Sequence, residues 1–181
     1  MAVTQYLRED TNPVFAPVAT ASAVAIGDFC ALVGGEVVPA NDFTWAGSKA
    51  ATQYNFVAAL LGHCFQLKDA STDQVYGNST ANIIGVSTTG TYAIDLQSAT
   101  TLVVGDYIGL AKNASANELL PQVGEKVAAL SSAIGVCVKA GTLLERCEVR
   151  LLPTVVPLAP APATTTSTSS TSTSTSTSTT T

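Results

Sequence analysis

Charge is what this sequence has least of. Eight Lys or Arg and thirteen Asp or Glu make up 12% of its 181 residues, about half the roughly 25% usual in soluble domains. Its polar cover has to come from Ser, Thr, Asn and Gln, or from another protein, because buried subunit interfaces are depleted in charge. A formal charge of −5 without any Lys or Arg cluster argues against nucleic acid, which selects basic patches. The longest apolar run, "FVAALLGHCF", is too short to span a bilayer, so no membrane partner is expected. Arg8, Glu9 and Asp10 stand where the apolar run of a signal peptide would lie, which predicts synthesis and retention in the producing cell's cytosol.

Chemistry-bearing residues are equally sparse. His63 is the only histidine, and its neighbour Cys64 would face the opposite side of a strand, so the two cannot form a Cys–His dyad. None of Cys30, Cys64, Cys137 and Cys147 stands in a CxxC spacing, and in a reducing compartment they read as small core hydrophobes. Cys137 and Cys147 flank the turn expected around Gly141. That placement would let them meet across strands in an oxidising setting, but free thiols are expected in the cytosol. The acids Asp28, Asp42, Asp69, Asp73, Asp95 and Asp106 are scattered, mostly beside Gly, Asn or Ser, which suits turns. No calcium loop, P-loop or GxSxG occurs, so no catalytic residue, metal site or cofactor is assigned and the chain is not read as an enzyme. The sequons at Asn78 and Asn113 would matter only in a secretory pathway.

What the chain does have is short apolar runs. Residues 1–22, with Pro13 and Pro17, hold neither period and read as an extended N-terminal arm. From Ala23, runs of four to eight residues rich in Val, Ile, Leu and aromatics alternate with Gly, Asn, Asp or Pro, which predicts strands. In "SKAATQYNFVAALLG", Ala50, Tyr54, Val57, Ala58 and Leu61 fall at helical spacing behind Ser48, with Gly62 as the stop. The expected fold is all-β: a small β-barrel over 23–156 with one short helix, followed by a Pro-rich linker and Thr/Ser tail over 157–181. As a lone chain the tail is expected to be disordered.

Two phrases echo. "IGDF" at 26–29 returns as "VGDY" at 104–107, and "IGV" at 84–86 returns at 134–136. Gly tolerates positive φ and Asp bonds the nearby backbone, so the echoes predict strand–turn–strand units around one barrel, or two related halves. The large side chains Tyr6, Leu7 and Phe15 in the arm, and Trp45 in "NDFTWAG", are the candidate interface anchors, since aromatic residues dominate such contacts. For Trp45, a cap on the barrel core beside the helix is the alternative.

The arm "TQYLREDTNPVFAPVATASAVAIGDFCAL", the phrase "VVPANDFTWAGSKAATQYNFVAALLG", the strand "VGDYIGL" and the closing "AIGVCVKAGTLLERCEVRLLP" resemble the small capsid decoration, or cement, proteins of tailed bacteriophages. The resemblance spans most of residues 1–153 and excludes the tail. It implies a compact β-barrel, commonly a homotrimer, bound to the major capsid protein on the outer surface of the virion. A competing expectation is an adhesive cell-surface module whose Thr/Ser tract is a glycosylated stalk.

Overall fold

The computed structural model describes residues 13–71, 74–76 and 82–152, and the backbone of residues 5–8. The Thr/Ser tail, its linker and Asn78 lie outside the described residues. The chain runs β1 (Gln5–Arg8), β2 (Pro13–Pro17), β3 (Phe29–Val33), β4 (Glu36–Pro39), α1 (Lys49–Ala58), β5 (Leu60–Cys64) and β6 (Ile83–Ser87). It continues through β7 (Thr91–Leu102), β8 (Tyr107–Lys112), β9 (Leu119–Val127), a 3-10 turn at Leu130–Ser132, β10 (Gly135–Cys137) and β11 (Gly141–Leu151). The all-β class with one helix is as expected.

The strands form two sheets. One is ordered β2-β6-β5-β3-β4 and the other β1-β7-β11-β10-β8-β9, and in the second a β7–β9 pairing closes the ring into a barrel. Setting β1 aside, the two orders are the same, and so is the chain path: three strands, a helical turn, two strands. The register matches residue for residue. Phe29 pairs with His63 and Cys30 with Gly62 in the first half, as Tyr107 pairs with Val136 and Ile108 with Gly135 in the second. Cys64 faces Val86 as Cys137 faces Val149. The parallel contact closing the second half, Leu96 with Gly124, returns in the first as a single bridge between Val18 and Val37.

The Gly-Asp echo marks the same turn in both halves. Gly27 has φ 100° and Gly105 φ 95°, a region that costs glycine little. The amide of Gly27 donates to Cys64 O and that of Gly105 to Cys137 O, while Cys64 and Cys137 donate back to Asp28 O and Asp106 O. Asp28 Oδ2 accepts from the Ala25 amide at 2.8 Å and Asp106 Oδ2 from the Val103 amide at 2.9 Å. The Ile-Gly-Val echo is a coincidence: Ile84–Val86 lies in β6 whereas Ile134–Val136 leads into β10. The true counterpart of "IGVC" is "LGHC" at 61–64, which occupies the same place in β5.

Two boundaries differ from expectation. Pro13–Pro17 pairs with β6 along its whole length, so that part of the expected arm belongs to the body. Prolines are tolerated there because β2 is paired on one side and their missing N–H groups face the other. The expected barrel is the closed ring β7-β11-β10-β8-β9 of the second half, and the first half repeats its strand order as a second sheet. The helix ends at Ala58, with Ala59 as its C-cap rather than Gly62 as its stop, because Leu60–Cys64 is drawn into the ladder between β3 and β6.

The helix is capped as expected, with Ser48 Oγ accepting from the Ala51 amide. Its buried face, however, is Thr52, Gln53 and Phe56 rather than the Ala50–Tyr54–Val57 stripe. The cause is polar docking against the second half: Gln53 Nε2 donates to Leu110 O and to Glu125 Oε1, both at 2.7 Å, and Lys49 bridges Glu125 at 2.8 Å. Phe56 meets Phe43 edge to face. One core cluster fills the first half around Cys30, Cys64, Ile84 and Val86. A larger one joins Phe29, Phe56 and Leu60 of the first half to Tyr92, Ile94, Ile108 and Val149 of the second.

Candidate interaction surface

His63 and Cys64 face opposite sides of β5, as strand alternation requires. The His63 ring stacks on Tyr92 at 4.1 Å between centroids and meets the edge of Phe29 at 5.6 Å. It is 4% exposed, and among the described residues neither ring nitrogen has a hydrogen-bond partner. Burial holds its pKa down to about 4, so at neutral pH it is an uncharged aromatic plate at the junction of the halves. Cys64 Sγ turns the other way and donates to Gln66 O at 3.1 Å.

The cysteines are all free and buried. Cys30 is pushed well up by its hydrogen bond to Cys64 and by burial, and burial drives Cys147 to about 12. Such thiols are poor nucleophiles. Cys137 pairs with Val149, so the turn at Gly141 does not set it across from Cys147. Asp28 and Asp106 serve their turns, and Asp28 Oδ1 also accepts from Gln122 Nε2 at 2.8 Å, pinning the first turn to β9. Burial raises the Asp28 pKa, with the Gln122 bond opposing it. Among the described residues no group of three or more His, Cys, Asp or Glu side chains could hold a metal ion. No helix among them is long and apolar enough to cross a membrane.

The His63 environment has a measurable consequence. The unfolded chain protonates His63 near 6.5 and the folded chain only near 4. Its contribution is therefore intact above about pH 6.5 and is lost as the pH falls towards 4, a change of about 3 kcal/mol. Asp28, whose folded pKa is raised, works in the opposite sense, so the comparison must be between variants. In His63→Phe the loss of urea stability between pH 6.5 and 4 is expected to shrink by that amount. Parallel pH profiles for the two proteins would show that the ring is not buried neutral.

One exposed feature is an aromatic pair. Phe15, 56% exposed on β2, meets Phe65 edge to face at 6.1 Å. Phe65 lies over Gly85, the residue opposite Phe15 in β6, where it fills the place of an added Cβ. The adjacent strands β2, β6 and β5 contain no Asp, Glu, Lys or Arg. Their counterparts β7 and β11 carry Asp95, Glu145, Arg146, Glu148 and Arg150, with ion pairs at Arg146–Asp95 and Lys139–Glu148. In a duplicated scaffold that contrast sets the β2 side of the first half apart from its counterpart.

Of the expected anchors, Phe15 lies on this face. Tyr6 and Leu7 fall in β1, and their side chains lie outside the described residues. Trp45 is half-buried, and the Lys112 ammonium lies 5.5 Å from its ring centroid, a cation–π contact that ties the loop before α1 to the second half. Phe65 was not anticipated, because it closes an apolar run and reads as one more strand residue. Only the pairing of β2 with β6 sets it beside Phe15. Comparison with known proteins finds no match to this chain among protein-family models, curated proteins or solved structures.

Proposed function

We propose that this chain is a structural decoration protein that binds the outer surface of a tailed-phage head as a homotrimer and bridges neighbouring major capsid subunits. The observation that supports it best is the contrast between matching strands of the halves: β2, β6 and β5 carry no charge and bear an exposed Phe15–Phe65 pair, whereas β7 and β11 are charged and ion-paired. His63 and the four cysteines are spent in packing, which suits a scaffold rather than a catalyst. Three copies about one axis would turn weak single contacts into avid attachment. The N-terminal arm and Trp45 would extend the grip beyond the aromatic pair.

The test is decoration of expanded heads that lack the protein. Wild type is expected to bind as trimers on the outside, and Phe15→Asp to lose about tenfold or more in affinity, as for a contact at the centre of an interface. Because Phe15 is exposed, the variant should melt like wild type. A protein that is monomeric by light scattering and never sediments with heads would overturn the reading.

A further inference from the structure

The two halves differ in what covers the first strand of each. In the second half, β7 is covered on the edge away from β11 by β1, which pairs antiparallel through Gln5 with Ala93 and Tyr6 with Tyr92. Beyond that, β9 covers it through Asp95 and Leu96. The matching registers set β2 in the same role, with Phe15 in the place of Ala93 and Val18 in the place of Leu96. Val18 meets Val37 as Leu96 meets Gly124, but among the described residues no strand pairs with β2 at Phe15 as β1 does with β7 at Ala93.

The backbone direction at that edge follows from alternation. The Val18 amide donates to Asn82 O, on the β6 side, so even-numbered residues of this stretch turn inward and Pro13, Phe15 and Pro17 turn outward. The two prolines have no N–H to offer. The open edge therefore presents the N–H and C=O of Phe15 and the C=O of Pro13. That is enough for one short, register-specific strand and too little for open-ended sheet growth.

We infer that the Phe15 edge of β2 is a strand-docking site that takes an extended segment of another protein, uncharged where it passes Phe15 and Phe65. The molecule shows the form of the occupant, since β1 lies on the equivalent edge of β7. Arms of further copies cannot fill every such edge: each chain has one β1 and two such edges, so arms alone always leave one edge for another protein. The added strand would exchange two hydrogen bonds with Phe15 and lay an apolar side chain against the Phe15–Phe65 pair, the strand-addition mode in which the backbone supplies affinity and the side-chain pocket selectivity.

The experiment uses the full-length chain and a capped, uncharged peptide with the sequence of residues 3–7, VTQYL, because that segment includes part of the strand seen on the equivalent edge. Amide exchange and chemical shifts are followed by NMR. At millimolar peptide the Phe15 amide is expected to exchange about tenfold more slowly, with shifts at Val14, Ala16 and Gly85, and Phe15→Asp is expected to lose the effect while melting like wild type. Unchanged Phe15 exchange would overturn the assignment. So would shifts confined to Thr91–Ala93, which would mean that the peptide only replaces β1. No capsid is needed, so failure here leaves the decoration reading standing, and failure of decoration leaves this site standing.

Discussion

Replacing Gly62 by alanine is expected to be the most damaging single-methyl change in the chain. A Cβ there would overlap the backbone carbonyl oxygen of Ser87, and the residue sits at φ 149°. The obstacle is backbone of the adjacent strand, so no side chain can rotate away. Overpacking costs about 1–3 kcal/mol and a backbone outlier a further 1–3 kcal/mol, together a large share of the roughly 5–15 kcal/mol that holds a domain folded. Its counterpart Gly135→Ala would overlap Arg150 O and Val149 Cγ1 without a positive φ, so it should cost less. Gly34→Ala, at φ 60° with nothing within 4 Å, carries strain alone and should cost about 1 kcal/mol. Urea midpoints ranked Gly62, Gly135, Gly34 in decreasing loss, at constant m-value, are the expected result. A Gly62→Ala protein as stable as Gly34→Ala would mean that β5 does not lie against β6 as described.

Tyr92→Ala is expected to loosen the junction of the two halves and to free His63 at the same time. Tyr92 is fully buried, stacks on His63, meets the Phe29 ring edge-on at 6.3 Å, and donates from its hydroxyl to Thr89 O at 2.8 Å. Removing an aromatic side chain of this kind costs about 3–5 kcal/mol. Tyr92→Phe keeps the stack and loses only the hydroxyl's bond, so it should cost about 1 kcal/mol. The second readout is the His63 titration. Burial holds that pKa near 4, and the cavity left by Tyr92→Ala admits water, so the pKa should rise towards 6.5 in Tyr92→Ala and stay low in Tyr92→Phe. A low His63 pKa in both would show that Tyr92 is not what keeps the ring dry.

The strand class, the capped helix and the Gly-Asp turns were all legible along the chain, because each depends on a few neighbouring residues. Ser48 caps from three residues away, and the Asp28 and Asp106 carboxylates reach back three residues to bond an amide. The Thr/Ser tract and its proline linker were set apart by composition alone. Features that depend on distant pairing are not legible along the chain. Pro13–Pro17 resembles an arm until β6 lies beside it, and the helix face cannot be assigned before the second half supplies Leu110 O and Glu125 as partners for Gln53.

The duplication was half visible for the same reason. Residues that shape the backbone survive in both halves as Gly-Asp and as the Gly and Cys of "LGHC" and "IGVC", but loops of unequal length hide the common spacing and leave a false Ile-Gly-Val echo to compete. By itself the sequence determined which backbone conformations and which amounts of apolar surface and charge were on offer. Tertiary structure alone decided that β2 stands in the first half where β7 stands in the second, that His63 lies dry between Phe29 and Tyr92, and that the charge-free strands are neighbours. Local conformation is set by short-range sterics and hydrogen bonds, whereas a surface or a junction exists only once strands distant in sequence share one ladder.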